Sequence, residues 1–226
     1  MSSCIGIFSD TAGDLNAFDA ALRFLAKKGA RRFLFAGGKY QDLDDWVKWK
    51  RDEAKAQTDY SDLDFLTDLT NALAGDDQVD RPPAFGTAYE LSRTAQELTR
   101  MSDKILRTPE KGSLQYLDPS IPKKTVEMLG DMLCCLVHDK NDLDKEDMTN
   151  AALLVHGKEG DPKVVQIGPR WFVTPGKAKP DKGNGTVAIL EVDKQIKFSA
   201  FTLDDKKVID GQVLTLGTPK SKISVK

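Results

Sequence analysis

A chain of 226 residues, 40% hydrophobic and 30% charged with a formal net charge of −2, is long enough to bury one good core. Lys and Arg are spread without a long basic run, and acidic turns recur near 42–45 and 76–80, so charge gives no ground for a nucleic-acid partner. The opening MSSCIGIFSD lacks a charged n-region, no apolar run approaches about 18 residues, and the three cysteines have neither a disulfide nor a zinc spacing. The expectation is a cytoplasmic protein without membrane insertion, with Cys134 and Cys135 as buried thiols in a strand.

In chain order, the apolar run Ile5–Phe8 ends in an acidic turn, Ser9 to Asp14. Leu15, Phe18, Leu22 and Leu25 then recur at helical spacing until Gly29, and a second apolar run, Phe33–Ala36, breaks at Gly37 and Gly38. A helix of that length is the usual crossover between parallel strands, so residues 4–38 read as a βαβ unit. In open α/β sheets ligands collect beyond the carboxyl ends of the strands, which here means residues 10–14 and 37–38. Asp42–Ala56 begins acidic and ends basic, as a helix dipole favours. Helical periodicity also predicts helices over Asp62–Ala74 and Thr87–Arg107, and a loop from Thr108 to Lys123 holds a short edge strand at Leu114–Leu117.

From Asp131 the pattern returns to strands. Met132–Val137 and Ala151–Val155 are continuous apolar runs suited to strands covered on both faces, ending at His138 and His156. Lys163–Ile167, Arg170–Val173, Thr186–Val192, Ile196–Thr202 and Val213–Leu216 alternate between turn residues and read as an antiparallel meander. The fold class is α/β.

Several of these motifs resemble the calcineurin-like metallophosphoesterases. That family opens with a strand ending in S-D-x-H-G-[ND], a helix and a strand ending in L-G-D; here stand Ser9-Asp10-Thr11-Ala12-Gly13-Asp14 and Ala36-Gly37-Gly38. Its later L-V-H-G, G-H-[TS]-H-x-P and I-G-x-x-x-[FV]-[VI]-N-P-G are similar to Leu136-Val137-His138-Asp139, Gly157-Lys158-Glu159-Gly160-Asp161-Pro162 and the stretch Ile167 to Gly176. The resemblance covers about half the chain and leaves residues 39–130 unmatched, with Gly75-Asp76-Asp77 the nearest counterpart of the family's G-N-H-[DE]. It implies a single domain over 1–226, a β-sandwich flanked by helices, with a helical elaboration at about 39–130.

The family's chemistry needs two metal ions about 3.5–4 Å apart. Carried over, Asp10 and His138 remain, whereas Ala12, Gly38, Lys158 and Gly160 stand where the family has ligands. One carboxylate and one imidazole do not hold two cations, and an ammonium repels them. The resemblance therefore implies a vestigial site without cofactor, in which Lys158 is expected to neutralise Asp10 as a metal would. Asp10 and Asp14 have a simpler reading as helix caps, His138 as a hydrogen-bonded strand-end histidine and His156 as structural.

Three functions follow. One is an inactive phosphoesterase fold kept to bind another protein, as retromer's phosphoesterase-like subunit is, with Trp46 and Trp49 as candidate contacts. A second is a phosphoesterase with relocated ligands, drawn from Asp76, Asp77, Asp139 or Asp142. The third is a binder of a nucleotide or phosphorylated ligand at the vacant site, with Lys158 supplying charge.

Overall fold

A computed structural model describes residues 3–56 and 105–216. The expected βαβ unit is present: β1 (Ser3–Phe8), α1 (Leu15–Lys27) and β2 (Arg32–Phe35), with β1 and β2 parallel. Asp14 caps α1 by accepting from the amides of Asn16 and Ala17, and Gly29 at φ +90 ends it in the left-handed conformation that residues with a Cβ rarely adopt. After β2 come α2 (Asp42–Ala56), β3 (Leu106–Arg107) and a four-residue α3 (Leu114–Leu117). Next are β4 (Lys124–Leu129), β5 (Met132–Val137), α4 (Lys145–Asn150) and β6 (Leu153–His156). The chain closes with β7 (Lys163–Ile167), β8 (Arg170–Thr174), β9 (Thr186–Val192), β10 (Ile196–Thr202) and β11 (Lys207–Leu214).

The strands form two mixed sheets, ordered β11-β10-β9-β1-β2-β3 and β4-β5-β6-β8-β7. Alternation along each strand assigns its side chains to layers. Ile5, Ile7, Leu34, Leu190 and Phe198 of the first sheet meet Cys134, Leu136, Leu153, Val155 and Val173 of the second, making a dry core between the sheets. The opposite face of the first sheet offers Phe8, Phe33, Phe35 and Ile189 to Phe18, Leu22 and Leu25 of α1 and to Leu43, Trp46 and Val47 of α2. A smaller cluster of Cys135, Ala151 and Leu154 lies on the outer face of the second sheet. Both adjacent cysteines are buried in β5, one on each face.

Several expectations are corrected. Ser113 caps a turn of helix at Leu114–Leu117, because its hydroxyl accepts the Tyr116 amide and so favours a helical start over a strand. Leu106 and Arg107 pair with Leu34 and Phe35 as a third parallel strand instead of ending a helix. The C-terminal strands are two units: β7 and β8 join the second sheet and only β9–β11 meander in the first. The last strand runs over 207–214, earlier than Val213–Leu216. Asp62–Ala74, most of Thr87–Arg107 and Asp76–Asp77 lie outside the described residues. The described ends of segment 39–130 supply two helices, α2 and the short α3, and two strands, one for each sheet. No helix among the described residues is long and apolar enough to cross a membrane.

Candidate functional site

The loops that follow β1 and β2 in one sheet meet those that follow β5 and β6 in the other. At their junction, Asp10 is engaged by backbone. Its Oδ1 accepts the amide of Gly38 at 2.8 Å and its Oδ2 that of Lys158 at 2.9 Å. One carboxylate thus fastens the turn after β2 and the turn after β6 to the end of β1. Asp10, Ala12 and Lys158 are three of the four non-glycine residues with positive φ among those described, at 35°, 54° and 64°. Such conformations cost energy and persist where surrounding contacts over-determine them.

His138 follows β5, is 3% exposed, and points Nδ1 at the carbonyl oxygen of Ala36, 3.2 Å away. The same Nδ1 lies 3.9 Å from Asp10 Oδ1. The space between the two sheets' loops is closed by glycines. A Cβ on Gly157 would lie 2.0 Å from the Ala36 oxygen, and one on Gly37 would lie 2.8 Å from Asp10 Oδ1 and 2.9 Å from His138 Nδ1. Only glycine admits that approach. Gly38 is left-handed and packed against Thr11 and Phe35, whereas Gly160 faces open space.

Lys158 does not neutralise Asp10. Its ammonium turns outward to Asp139 at 2.5 Å while only its amide reaches Asp10. Burial works against the charge on Asp139, but the Lys158 hydrogen bond and the Asn141 amide outweigh it and hold the carboxyl below its usual range. The ammonium of Lys158 is correspondingly held above its usual range by that hydrogen bond. Lys111 pairs with Asp142 at 3.8 Å, and Glu159 takes both Lys140 at 2.6 Å and Lys163 at 2.9 Å, which brings its carboxyl down to about 2. Asp139 and Asp142, offered as relocated metal ligands, are thus engaged with lysines. His156 is 5% exposed with Nδ1 3.0 Å from the Gly157 oxygen, and burial lowers its pKa.

The donor set does not fit a two-metal cluster. Asp10 and His138 are one carboxylate and one imidazole, and no third His, Cys, Asp or Glu joins them among the described residues, which is too few ligands for two cations. Ala12 is exposed at the turn and contributes no donor.

Sequence reading missed Asp42. It is 2% exposed at the start of α2 and its Oδ2 accepts from both the Thr11 hydroxyl and the Gly13 amide, which ties α2 to the turn after β1. In the sequence it looks like any acidic residue of a first helical turn. The two tryptophans separate. Trp46 is fully buried, its ring 5.8 Å from that of Phe18 and its indole N–H donating to Asp19 Oδ1 at 2.9 Å, so it belongs to the core and is closed to a partner. Trp49 is half-buried beside an open groove of about 380 Å³ lined also by Gly13, Lys39, Asp45 and Lys48.

These two mixed sheets flanked by helices are those of the metallophosphoesterase-like fold. No protein-family model and no curated protein sequence matches the chain. Among solved structures, it superposes on Vps29 of Chaetomium thermophilum with a TM-score of 0.53 at 12% identity, covering 96% of this chain and 100% of that one. The phosphoesterase Yfce of E. coli gives 0.52 at 17% identity, covering 94% and 100%. A conserved predicted phosphoesterase of Streptococcus pneumoniae gives 0.51 at 16% identity, covering 94% and 96%. At these identities the likeness establishes the fold.

Proposed function

We propose that this chain is a catalytically inactive phosphoesterase-like protein that acts in the cytoplasm as a protein-binding module. The observation that carries the reading is the shortage of ligands around Asp10. Only the His138 imidazole stands beside that carboxylate, the Lys158 ammonium is held by Asp139, and no cluster of three His, Cys, Asp or Glu forms among the described residues, while the Asp10 oxygens hold backbone amides of neighbouring loops. The residue has become a fastener of the fold. A phosphorylated ligand would need an available ammonium, and that of Lys158 is bound to Asp139. This favours the protein-binding reading over the nucleotide one.

The surface best suited to a partner is the loop after β3, on the same side as the site. Leu114 and Leu117 are 82% and 73% exposed on α3. The turn that carries them is anchored: Gln115 donates to Gln41, Lys123 lies 4.5 Å from the centre of the Tyr116 ring, and the Tyr116 amide is capped by Ser113. Exposed leucines on an anchored turn are preorganised for an apolar pocket, because little ordering entropy is left to lose on binding. The test is capture from native lysate with the wild type and with a Leu114→Asp/Leu117→Asp double variant. The reading predicts a defined protein partner with the wild type, lost with the folded variant. Identical recovery with both places the binding elsewhere.

A further inference from the structure

Four strands lie at sheet edges among the described residues, and three of them are protected. β3 is two residues long. The pairing of β11 with β10 slips in register twice. On β4, Lys124 is clamped by Asp144 and Asp147, and Glu127 is joined to Arg32. Short strands, bulges and edge charges are the usual means of preventing strand addition. β7 has none of these along its centre. It pairs with β8 without a slip from Lys163 to Ile167, and Val165 and Ile167 are 46% and 57% exposed.

We propose that β7 pairs antiparallel with β7 of a second copy of this chain, about a two-fold axis at Val165. The register follows from the hairpin. Ile167 and Arg170 close a two-residue turn, and such a closing pair exchanges hydrogen bonds. Lys163, Val165 and Ile167 therefore turn their N–H and C=O groups toward β8, and Val164 and Gln166 turn theirs toward the open side. An axis at Val165 sets Val164 against Gln166 of the second copy, twice, so these outward groups satisfy one another. Val165 meets its own counterpart, and the two Ile167 side chains extend the apolar strip. Charge does not oppose the arrangement: Lys163 lies opposite Ile167 of the second copy, and its ammonium is already held by Glu159 at 2.9 Å. Five residues of strand bury far less than the roughly 800 Å² per partner of a stable interface. The association is accordingly reversible and concentration-dependent.

Sedimentation velocity of the full chain over a dilution series tests it. The apparent mass should rise from one chain toward two with concentration. Val165→Lys, which opposes two ammonium groups at the axis, and Gln166→Pro, which removes an outward donor, should each keep the folded chain monomeric, with circular dichroism as the check on folding. Mild oxidation tests the register. Val165→Cys should give an interchain disulfide, because non-hydrogen-bonded antiparallel pairs have Cα atoms about 4.5 Å apart. Gln166→Cys, facing Val164 of the second copy, should not. A chain monomeric at every concentration, a dimer that survives both blocking variants, or equal crosslinking at the two positions overturns the proposal.

Discussion

Asp10 and Lys158 meet through the main chain: the Lys158 amide donates to Asp10 Oδ2 at 2.9 Å while the Lys158 ammonium reaches Asp139 at 2.5 Å. The lysine side chain and the aspartate carboxylate therefore have separable roles. Asp10→Ala should remove the acceptor of two amides and cost about 1–3 kcal/mol in denaturant unfolding. Lys158→Met, which changes an ammonium at an exposed position but keeps the amide, should shift the midpoint much less. Equal losses would mean that the Lys158–Asp139 pair matters to the fold as much as the amides that Asp10 holds.

This division explains what the sequence could and could not disclose. The βαβ unit, the Asp14 cap and the buried Cys134 and Cys135 were legible because they follow from apolar periodicity and a turn of fixed composition, whereas Asp10, read as a second helix cap, instead holds the amides of Gly38 and Lys158. The direction of the Lys158 side chain was not, since it depends on Asp139 being presented from another loop. β4 escaped because Val126 and Met128 are exposed on an edge strand, so its alternation carries no burial signal. Leu114–Leu117 misled because a four-residue apolar-rich stretch has no readable period, and its cap, Ser113, decides the conformation.

Ala12 sits at φ 54 in an exposed turn, a conformation that costs a residue with a Cβ roughly 1–2 kcal/mol. Ala12→Gly removes that strain, while the freer unfolded chain offsets part of the gain. The net expectation is stabilisation of up to about 1 kcal/mol by chemical denaturation. A destabilised variant would show that the turn is held without strain.

Trp46 and Trp49 should respond differently to truncation. Trp46→Ala opens a cavity between α1 and α2 and removes the donor to Asp19, for which about 3–5 kcal/mol is expected. Trp49, half-buried at the groove, should cost clearly less. Intrinsic fluorescence provides a second readout: quenching by iodide should reach Trp49 and spare Trp46.

Stability should decline on acidification in two stages. Burial lowers the pKa of His156, so below its usual 6.5 the unfolded chain binds a proton that the folded chain refuses, and stability falls with pH toward the lowered value. Glu159, brought down to about 2 by Lys140 and Lys163, contributes stability that is present above the usual carboxylate range and lost as pH falls toward 2. The ion pairs are partly exposed, so this second loss is screened by salt. Urea titrations between pH 8 and pH 3 should show the first stage disappear in His156→Phe, if that variant folds, and in His156→Gln. Persistence in both would assign it to another group.

The most direct measurement is the metal content of gently purified protein together with hydrolysis of an aryl phosphate in added manganese. With Asp10 and His138 joined by no third His, Cys, Asp or Glu among the described residues, the expected result is substoichiometric manganese, iron and zinc, and turnover indistinguishable from that of Asp10→Asn. Stoichiometric metal, or manganese-dependent turnover that Asp10→Asn abolishes, would contradict the account.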